Sequence, residues 1–235
     1  MDNNILLFPS GIPQLRCCHL PRDESDPIVP LCCGWQHEKG WLKHIDWDNR
    51  TRHLTRRSSG FLFQYTLSGQ GGKFLEAERC RQLSPGYAFL IPIPSETRYW
   101  LERTDEWSWL WLSGTGEAAM QWIHHFTRRY GFIFKLAPTS APIQIAAQIY
   151  ADTACGRLHD SAEASILLYR FMLAFNRAVQ AQHQGISPVI RQILEMVEAE
   201  FHRPDLTVED LARQCGRSLS HFCRVFKKEY GLTPG

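Results

Sequence analysis

Apolar residues along this chain follow two different periods, and the period changes near residue 116. From about Trp35 to Ser113, short runs rich in Phe, Tyr, Trp, Leu and Ile are broken by Ser68-Gly69-Gln70-Gly71-Gly72, Ser84-Pro85-Gly86 and Pro92-Ile93-Pro94-Ser95. Short apolar runs between such clusters predict a series of β-strands and turns. From Gly116 the spacing becomes three and four, at Met120, Ile123, His124 and Thr127, then across Ile145 to Ala154, then from Ser161 to about Gln182. That spacing predicts helices. Gly185-Ile186-Ser187-Pro188 breaks the helical pattern, with Ser187 as a cap and Pro188 as a first-turn proline opening the C-terminal segment. The pattern predicts an α+β chain in three parts: a strand-rich 1–115, a helical 116–185 and an all-helical 186–235.

The last part is the most specific. Thr207 can cap a short helix whose Val208, Leu211 and Ala212 share one face, and Gly216 suits the positive φ of a tight turn. Ser218 can cap a second helix, on which Phe222, Val225 and Phe226 form the packed stripe. Leu219, Ser220, Cys223, Arg224, Lys227 and Lys228 then lie on or beside its outer surface. Two amphipathic helices around a glycine occur in many helical domains, so charge carries the distinction. Arg217, Arg224, Lys227 and Lys228 stand in a stretch without an acid, whereas Glu195 to Asp210 is acid-rich. A surface that seeks phosphate needs that segregation, because Arg and Lys displace counterions while nearby carboxylates repel the backbone.

The turn Ala212-x-x-Cys215-Gly216-x-Ser218, the helix Ser220-His221-Phe222-x-Arg224-x-Phe226-Lys227-Lys228 and the exit Gly231-x-Thr233-Pro234 closely resemble the first helix-turn-helix of the AraC/XylS family of bacterial transcriptional regulators. In that family a long helix comes next and leads to a second helix-turn-helix; the sequence ends at Gly235, so only the first is expected here. The segments Gly60 to Gly71 and Leu83 to Pro92 are similar to the cupin-like β-barrel at the front of sugar-sensing members, a resemblance reaching from roughly Gly40 through Ser113. The resemblance implies DNA and a small-molecule effector, most simply a sugar, as partners. It also implies a homodimer, contact with RNA polymerase, and a cytoplasmic protein.

A small barrel can hold one ligand. Trp107, Trp109 and Trp111 alternate with Ser108, Leu110 and Leu112, so the three indoles project from one face of a strand. Trp100 could face the same cavity across a hairpin. The resemblance aligns Trp100, Trp109 and Trp111 with ligand-contacting aromatics, and Glu96 and Arg98 are expected as polar partners if alternation holds through Tyr99. Indoles suit the apolar face of a sugar ring. Sugar-binding members place an arginine on the first barrel strand; here Leu54 lies near that position, between Arg52 and Arg56. The same Trp stripe is also what a plain hydrophobic core would show. Likewise Ile166, Leu167, Leu168, Phe171, Met172, Leu173, Phe175 and Val179 exceed a single stripe, so one face of that helix either packs on the barrel or meets a second subunit.

Composition narrows the alternatives. At 235 residues and 44% hydrophobic content the chain can bury a substantial core. A net charge of +2 is too small for bulk attraction to nucleic acid, so DNA contact must come from the local patch. The eight cysteines include the pairs Cys17-Cys18 and Cys32-Cys33 but no Cys-x-x-Cys, and reduced thiols are expected rather than a metal site. The acidic start with its short apolar run predicts no signal peptide. There is no His-x-His pair; His37, His44 and His53 are scattered, and the side chains of His124 and His125 diverge by about 100° on a helix. No phosphate loop, nucleophile elbow or paired-carboxylate motif is present, so neither cofactor nor catalysis is expected. The alternative from another class is a cupin-type sugar-binding or isomerase-like protein whose C-terminal helices serve packing or oligomerisation. An uncompensated cluster of Arg217, Arg224, Lys227 and Lys228 disfavours it.

Overall fold

A computed structural model describes residues 7–8, 11–54, 59–184, 207–214 and 216–230. The chain divides into two compact units, Met1–Val179 and Gln180–Gly235. The described strands, all in the first unit, are β1 (Cys18–His19), β2 (Val29–Lys39), β3 (Ile45–Asp48), β4 (Gly60–Gly69), β5 (Gly72–Glu76), β6 (Arg79–Leu83), β7 (Tyr87–Ile93), β8 (Thr97–Leu101), β9 (Glu106–Thr115) and β10 (Ile133–Lys135). Helices α1 (Glu117–Tyr130) and α2 (Ala141–Ala154) belong to the same unit, and α3 (Ser161–Gln184) runs out of it. The second unit carries α4 (Val208–Gln214) and α5 (Leu219–Tyr230).

The strands form two antiparallel sheets, one in the order β1-β2-β9-β4-β7-β10 and the other β3-β8-β5-β6. Alternation along β4 explains why both are needed. Phe61, Phe63, Tyr65 and Leu67 point to one side and join α1–α3 in one hydrophobic cluster, while Leu62 points to the other and joins the second sheet. The strand is therefore buried on both faces from Gly60 to Leu67 and reads as a nearly continuous apolar run. On the helix side, Phe63 packs against Phe171 and Phe175, and Phe126 and Phe134 close around Phe175. Between the sheets, Phe89 packs against Phe74 and Tyr99, and Trp107 against Trp109, their ring centroids 4.6 Å apart. Fully burying each such side chain is worth about 1.5–3 kcal/mol.

The turns form where glycine and proline predict them. Gly69 and Gly71 adopt φ of 87° and 81° between β4 and β5, and Gly86 adopts 88° before β7. A Cβ at Gly69 would meet the Glu106 carbonyl oxygen at 2.3 Å, so that turn tolerates no side chain. Two strands and part of a third lie outside the stretch of short apolar runs from Trp35 to Ser113: β1, the first part of β2, and β10, which returns after α1 to pair with β7 through Ile133 and Phe89. Residue 116 is not a boundary between compact units, because α1, α2 and most of α3 share a core with the larger sheet. The break at Gly185 to Pro188 lies outside the described residues.

Helix α3 buries Leu167, Leu168, Phe171, Met172, Phe175 and Val179. Ile166, Tyr169 and Leu173, at spacings of three and four, stay exposed at 60%, 49% and 38%. No helix among the described residues is long and apolar enough to cross a membrane.

Candidate ligand cleft and reading helix

The phase of β9 divides its side chains between two environments. Trp107, Trp109 and Trp111 all face the space between the sheets, and Leu110 and Leu112 face the helices. The three indoles nevertheless differ. Trp107 is fully buried and its Nε1–H donates to Thr66 Oγ1 at 3.0 Å; Trp109 is buried against it. Trp111 is only partly buried and lines an open cleft of about 940 Å³. Its partner across the ladder is Gly34 on β2, where a Cβ would meet the indole nitrogen at 2.5 Å and the Arg16 carbonyl oxygen at 2.2 Å. With no side chain there, the indole lies across β2 and Nε1–H donates to the Arg16 carbonyl at 3.2 Å.

The cleft is also lined by Trp47 from β3 on the second sheet and the segment Arg52, His53 and Leu54, with His19, Arg22, Glu24, Cys32 and Ser113 among its other lining residues. The Arg52 guanidinium stacks over Trp47 at 4.3 Å, donates to Tyr99 Oη at 2.7 Å and to Asn49 Oδ1 at 3.3 Å. It is thus held flat against one side. Burial pushes the Tyr99 phenol up, and Arg52 draws it part of the way back. Beside Trp111 in the ladder, Gln64 is buried and its Nε2 has no hydrogen-bond partner among the described residues. An unsatisfied buried amide is costly; this one lies between the sheets next to Trp111 but is not among the residues that line the cleft.

The structure separates the other sequence-predicted ligand residues from this cleft. Alternation along β8 puts Thr97, Tyr99 and Leu101 in the interior, which leaves Arg98 and Trp100 on the outer face. Trp100 Nε1–H donates to Glu102 Oε1, and Arg98 lies over the Trp100 ring and pairs with Asp46. Glu96 is exposed in the bend before β8. Both Tyr99 and Trp100 are aromatic, so sequence alone did not reveal which phase faces inward. The expectation that Trp100, Arg98 and Glu96 meet Trp109 and Trp111 in one pocket is therefore corrected: of the five, only Trp111 lines the cleft. Trp47 and Arg52 line it as well.

One cluster had no sequence signal. Cys17, His19 and Cys32 place a ligand atom each within 4.8 Å of one another. Burial and the neighbouring Cys17 thiol push the Cys32 thiol up to about 12. Metal-ligand spacing in sequence registers helical or loop motifs, whereas here strand pairing joins residues 13 positions apart.

In the second unit the caps expected at Thr207 and Ser218 form. Asp210 N–H donates to Thr207 Oγ1 at 3.1 Å while Thr207 N–H donates back to Asp210 Oδ2 at 3.2 Å, a reciprocal box that starts α4. At its end Arg217 N–H reaches the Ala212 carbonyl and Gly216 N–H the Arg213 carbonyl, with Gly216 at φ 63°. This is the paired closure that a left-handed glycine permits. Ser218 Oγ accepts from His221 N–H and opens α5. Phe222 is buried and stacks on Phe226, while Leu219, Ser220, Arg224 and Lys227 are exposed and Cys223 is half-buried. Arg224 Nη2 contacts His221 Nδ1 at 3.1 Å. The side chain of Lys228 lies outside the described residues.

Residues 198–235 match the family of bacterial regulatory helix-turn-helix proteins, AraC family, and residues 42–172 match the AraC-like ligand binding domain. No curated protein matches the chain significantly. Among solved structures the chain is similar to the AraC-like transcriptional activator CuxR, at 13% identity over 87% of this chain and 71% of that one, with a TM-score of 0.40. It is similar to the apo form of a ToxT point variant from Vibrio cholerae at 11% identity over 91% and 97%, TM-score 0.45, and to YhaK from Escherichia coli at 12% over 54% and 52%, TM-score 0.34. At these scores the neighbours say nothing about function.

The outward placement of Arg98 has a measurable consequence. Its guanidinium holds the Asp46 carboxyl below the usual carboxylate range. A depressed carboxylate contributes stability above its unfolded value and loses it as pH falls through the folded one. Arg98→Ala should therefore cost about 0.5–1 kcal/mol more at neutral pH than in strong acid, as the pair is partly exposed. Urea titrations at both pH values check this; an equal cost at both would show that Arg98 acts through something other than Asp46.

Proposed function

The chain belongs to the AraC family of bacterial regulators, and from that premise we propose that it is a sequence-specific transcription regulator whose N-terminal unit senses a small carbohydrate in the cleft around Trp111. The family supplies the coarser statement: a ligand-binding domain joined to a DNA-binding helix-turn-helix. One observation carries the DNA half, the capped helix α5 with Leu219, Ser220, Arg224 and Lys227 exposed on one side and Phe222 buried on the other. A helix of this kind enters the major groove, with side chains reaching base edges and flanking cations on phosphates. Such a protein works where the DNA is, in the cytoplasm, with RNA polymerase as a further partner.

Supporting the sensor half are two indoles, Trp111 and Trp47, one from each sheet, and the guanidinium of Arg52 between polar partners. Aromatic faces suit a sugar ring's C–H surface, and an Arg donor suits its hydroxyls. The ligand acts on transcription only if it binds one arrangement of the molecule better than another. The exposed Ile166, Tyr169 and Leu173 on α3 support a homodimer through that helix, which would present two reading heads to paired half-sites.

Arg224→Ala should lose about 1–3 kcal/mol of binding at one base position, most simply a guanine, whereas Lys227→Ala should weaken all sequences alike. Fluorescence anisotropy of the full-length protein, on a duplex enriched from a random pool and on random DNA, separates the two; equal loss on both for Arg224→Ala rejects base reading. In calorimetric screening of mono- and disaccharides, Trp111→Ala should abolish binding that Trp100→Ala leaves intact. A sugar bound equally by wild type and Trp111→Ala would remove the cleft from the proposal. Sedimentation should give a dimer for wild type and a monomer for the Ile166→Glu, Leu173→Glu double variant, and a wild-type monomer well above micromolar concentration rejects the α3 interface.

A further inference from the structure

Strand pairing at the edge of the larger sheet sorts five chemistry-bearing residues onto two faces. In the register of β1 and β2, Cys18 lies opposite Cys33 and His19 opposite Cys32. Cys18 and Cys33 point inward and are buried in the core. Cys17, His19 and Cys32 share the other face, where Cys17 and His19 are exposed and Cys32 is half-buried. The pairing of β2 with β9 shifts register between Pro30 and Cys32, a bulge of the kind that re-aims a side chain. After the bulge, Ser113 Oγ receives the Cys32 N–H at 3.2 Å and donates to the Cys32 carbonyl at 3.1 Å, fixing the backbone that carries the thiol. Cys32 Sγ stands 3.1 Å from His19 Nδ1.

We propose that Cys17, His19 and Cys32 form a binding site for one thiophilic cation of the zinc class. Two sulfurs and an imidazole nitrogen are a donor set that zinc prefers over the hard cations, which take oxygen. Zinc–sulfur bonds of about 2.3 Å and zinc–nitrogen bonds of about 2.0 Å put two sulfurs and a nitrogen about 3.5–3.8 Å apart in a tetrahedron. The three donor atoms lie within 4.8 Å of one another, so rotamer adjustment of side chains that are mostly exposed closes the remainder. Each cysteine releases its thiol proton to solvent as its sulfur coordinates. Three protein ligands leave the fourth position to water or to a donor from outside, and two of the three, His19 and Cys32, line the cleft that holds Trp111. The cation would also clip the short β1 segment to β2 immediately after Arg16, whose carbonyl holds the Trp111 indole.

The test uses the reduced full-length chain with Co2+ as a spectroscopic stand-in, followed by displacement with Zn2+. One equivalent of Co2+ should give thiolate-to-metal charge-transfer absorption with visible bands of tetrahedral intensity, and one equivalent of Zn2+ should erase both. Cys17→Ser, His19→Ala and Cys32→Ser should each lose the signal or at least its tetrahedral form, while Cys80→Ser, an exposed thiol on β6, should leave it unchanged. Cys17 and His19 are exposed, so circular dichroism of those two variants keeps the result interpretable even if Cys32→Ser disturbs the sheet. No charge-transfer band in wild type, a signal that keeps its full tetrahedral form in Cys17→Ser and in His19→Ala, or one removed by Cys80→Ser overturns the site. None of these outcomes bears on whether a sugar binds the cleft.

Discussion

Burial of the larger sheet on both faces is the constraint on which the rest of the first unit depends. A sheet whose central strand carries Phe61, Phe63 and Tyr65 on one side and Leu62 on the other has no face to offer water. Helices must cover one side and a second sheet the other. The approach is close enough to require Gly114 on β9, where a Cβ would meet the Phe61 ring at 2.7 Å and Leu168 of α3 at 2.8 Å. The helical segment after residue 116 is therefore the second half of the core begun by the strands.

That double burial also decides where a ligand can go. Trp107, Phe74, Phe89 and Tyr99 pack together between the sheets in one region. Space opens where Trp111 leans over Gly34 toward Arg16 and where Trp47 and Arg52 also line the cleft. The chain at β1 serves both features of this rim: Arg16 supplies the carbonyl that holds the indole, and Cys17 and His19 face Cys32. A short edge strand, paired over only two residues, thus shapes the wall of the cleft.

The two described helices of the second unit are set differently. Leu211, Ala212 and Phe222 are buried, and the helix ends are set by local hydrogen bonds. The Thr207–Asp210 box, the Gly216 closure and the Ser218 cap fix where each helix starts or stops. Once the ends are fixed, the 3.6-residue period alone puts Arg224 and Lys227 on the face opposite Phe222.

That difference explains what could be read from the amino-acid order. The helix-turn-helix was legible residue by residue, because caps, turn glycine and stripe all act over a few positions. The change from strand to helix near residue 116 was legible for the same reason, as was the common face of Trp107, Trp109 and Trp111. The short strands β1 and β10 were not, because two- and three-residue strands exist only through their partners. Nor was the phase of β8, where Tyr99 and Trp100 were equally suited to the interior and packing against Phe89 chose Tyr99. The cleft wall of Trp47 and Arg52, and the meeting of Cys17 and His19 with Cys32, come from pairing between strands distant in sequence. Features held by neighbours within a turn, such as the Thr207–Asp210 box and the Gly216 closure, are written in the residue order itself. Which side chains share a cavity was left to the tertiary structure, since sheet register and packing set it.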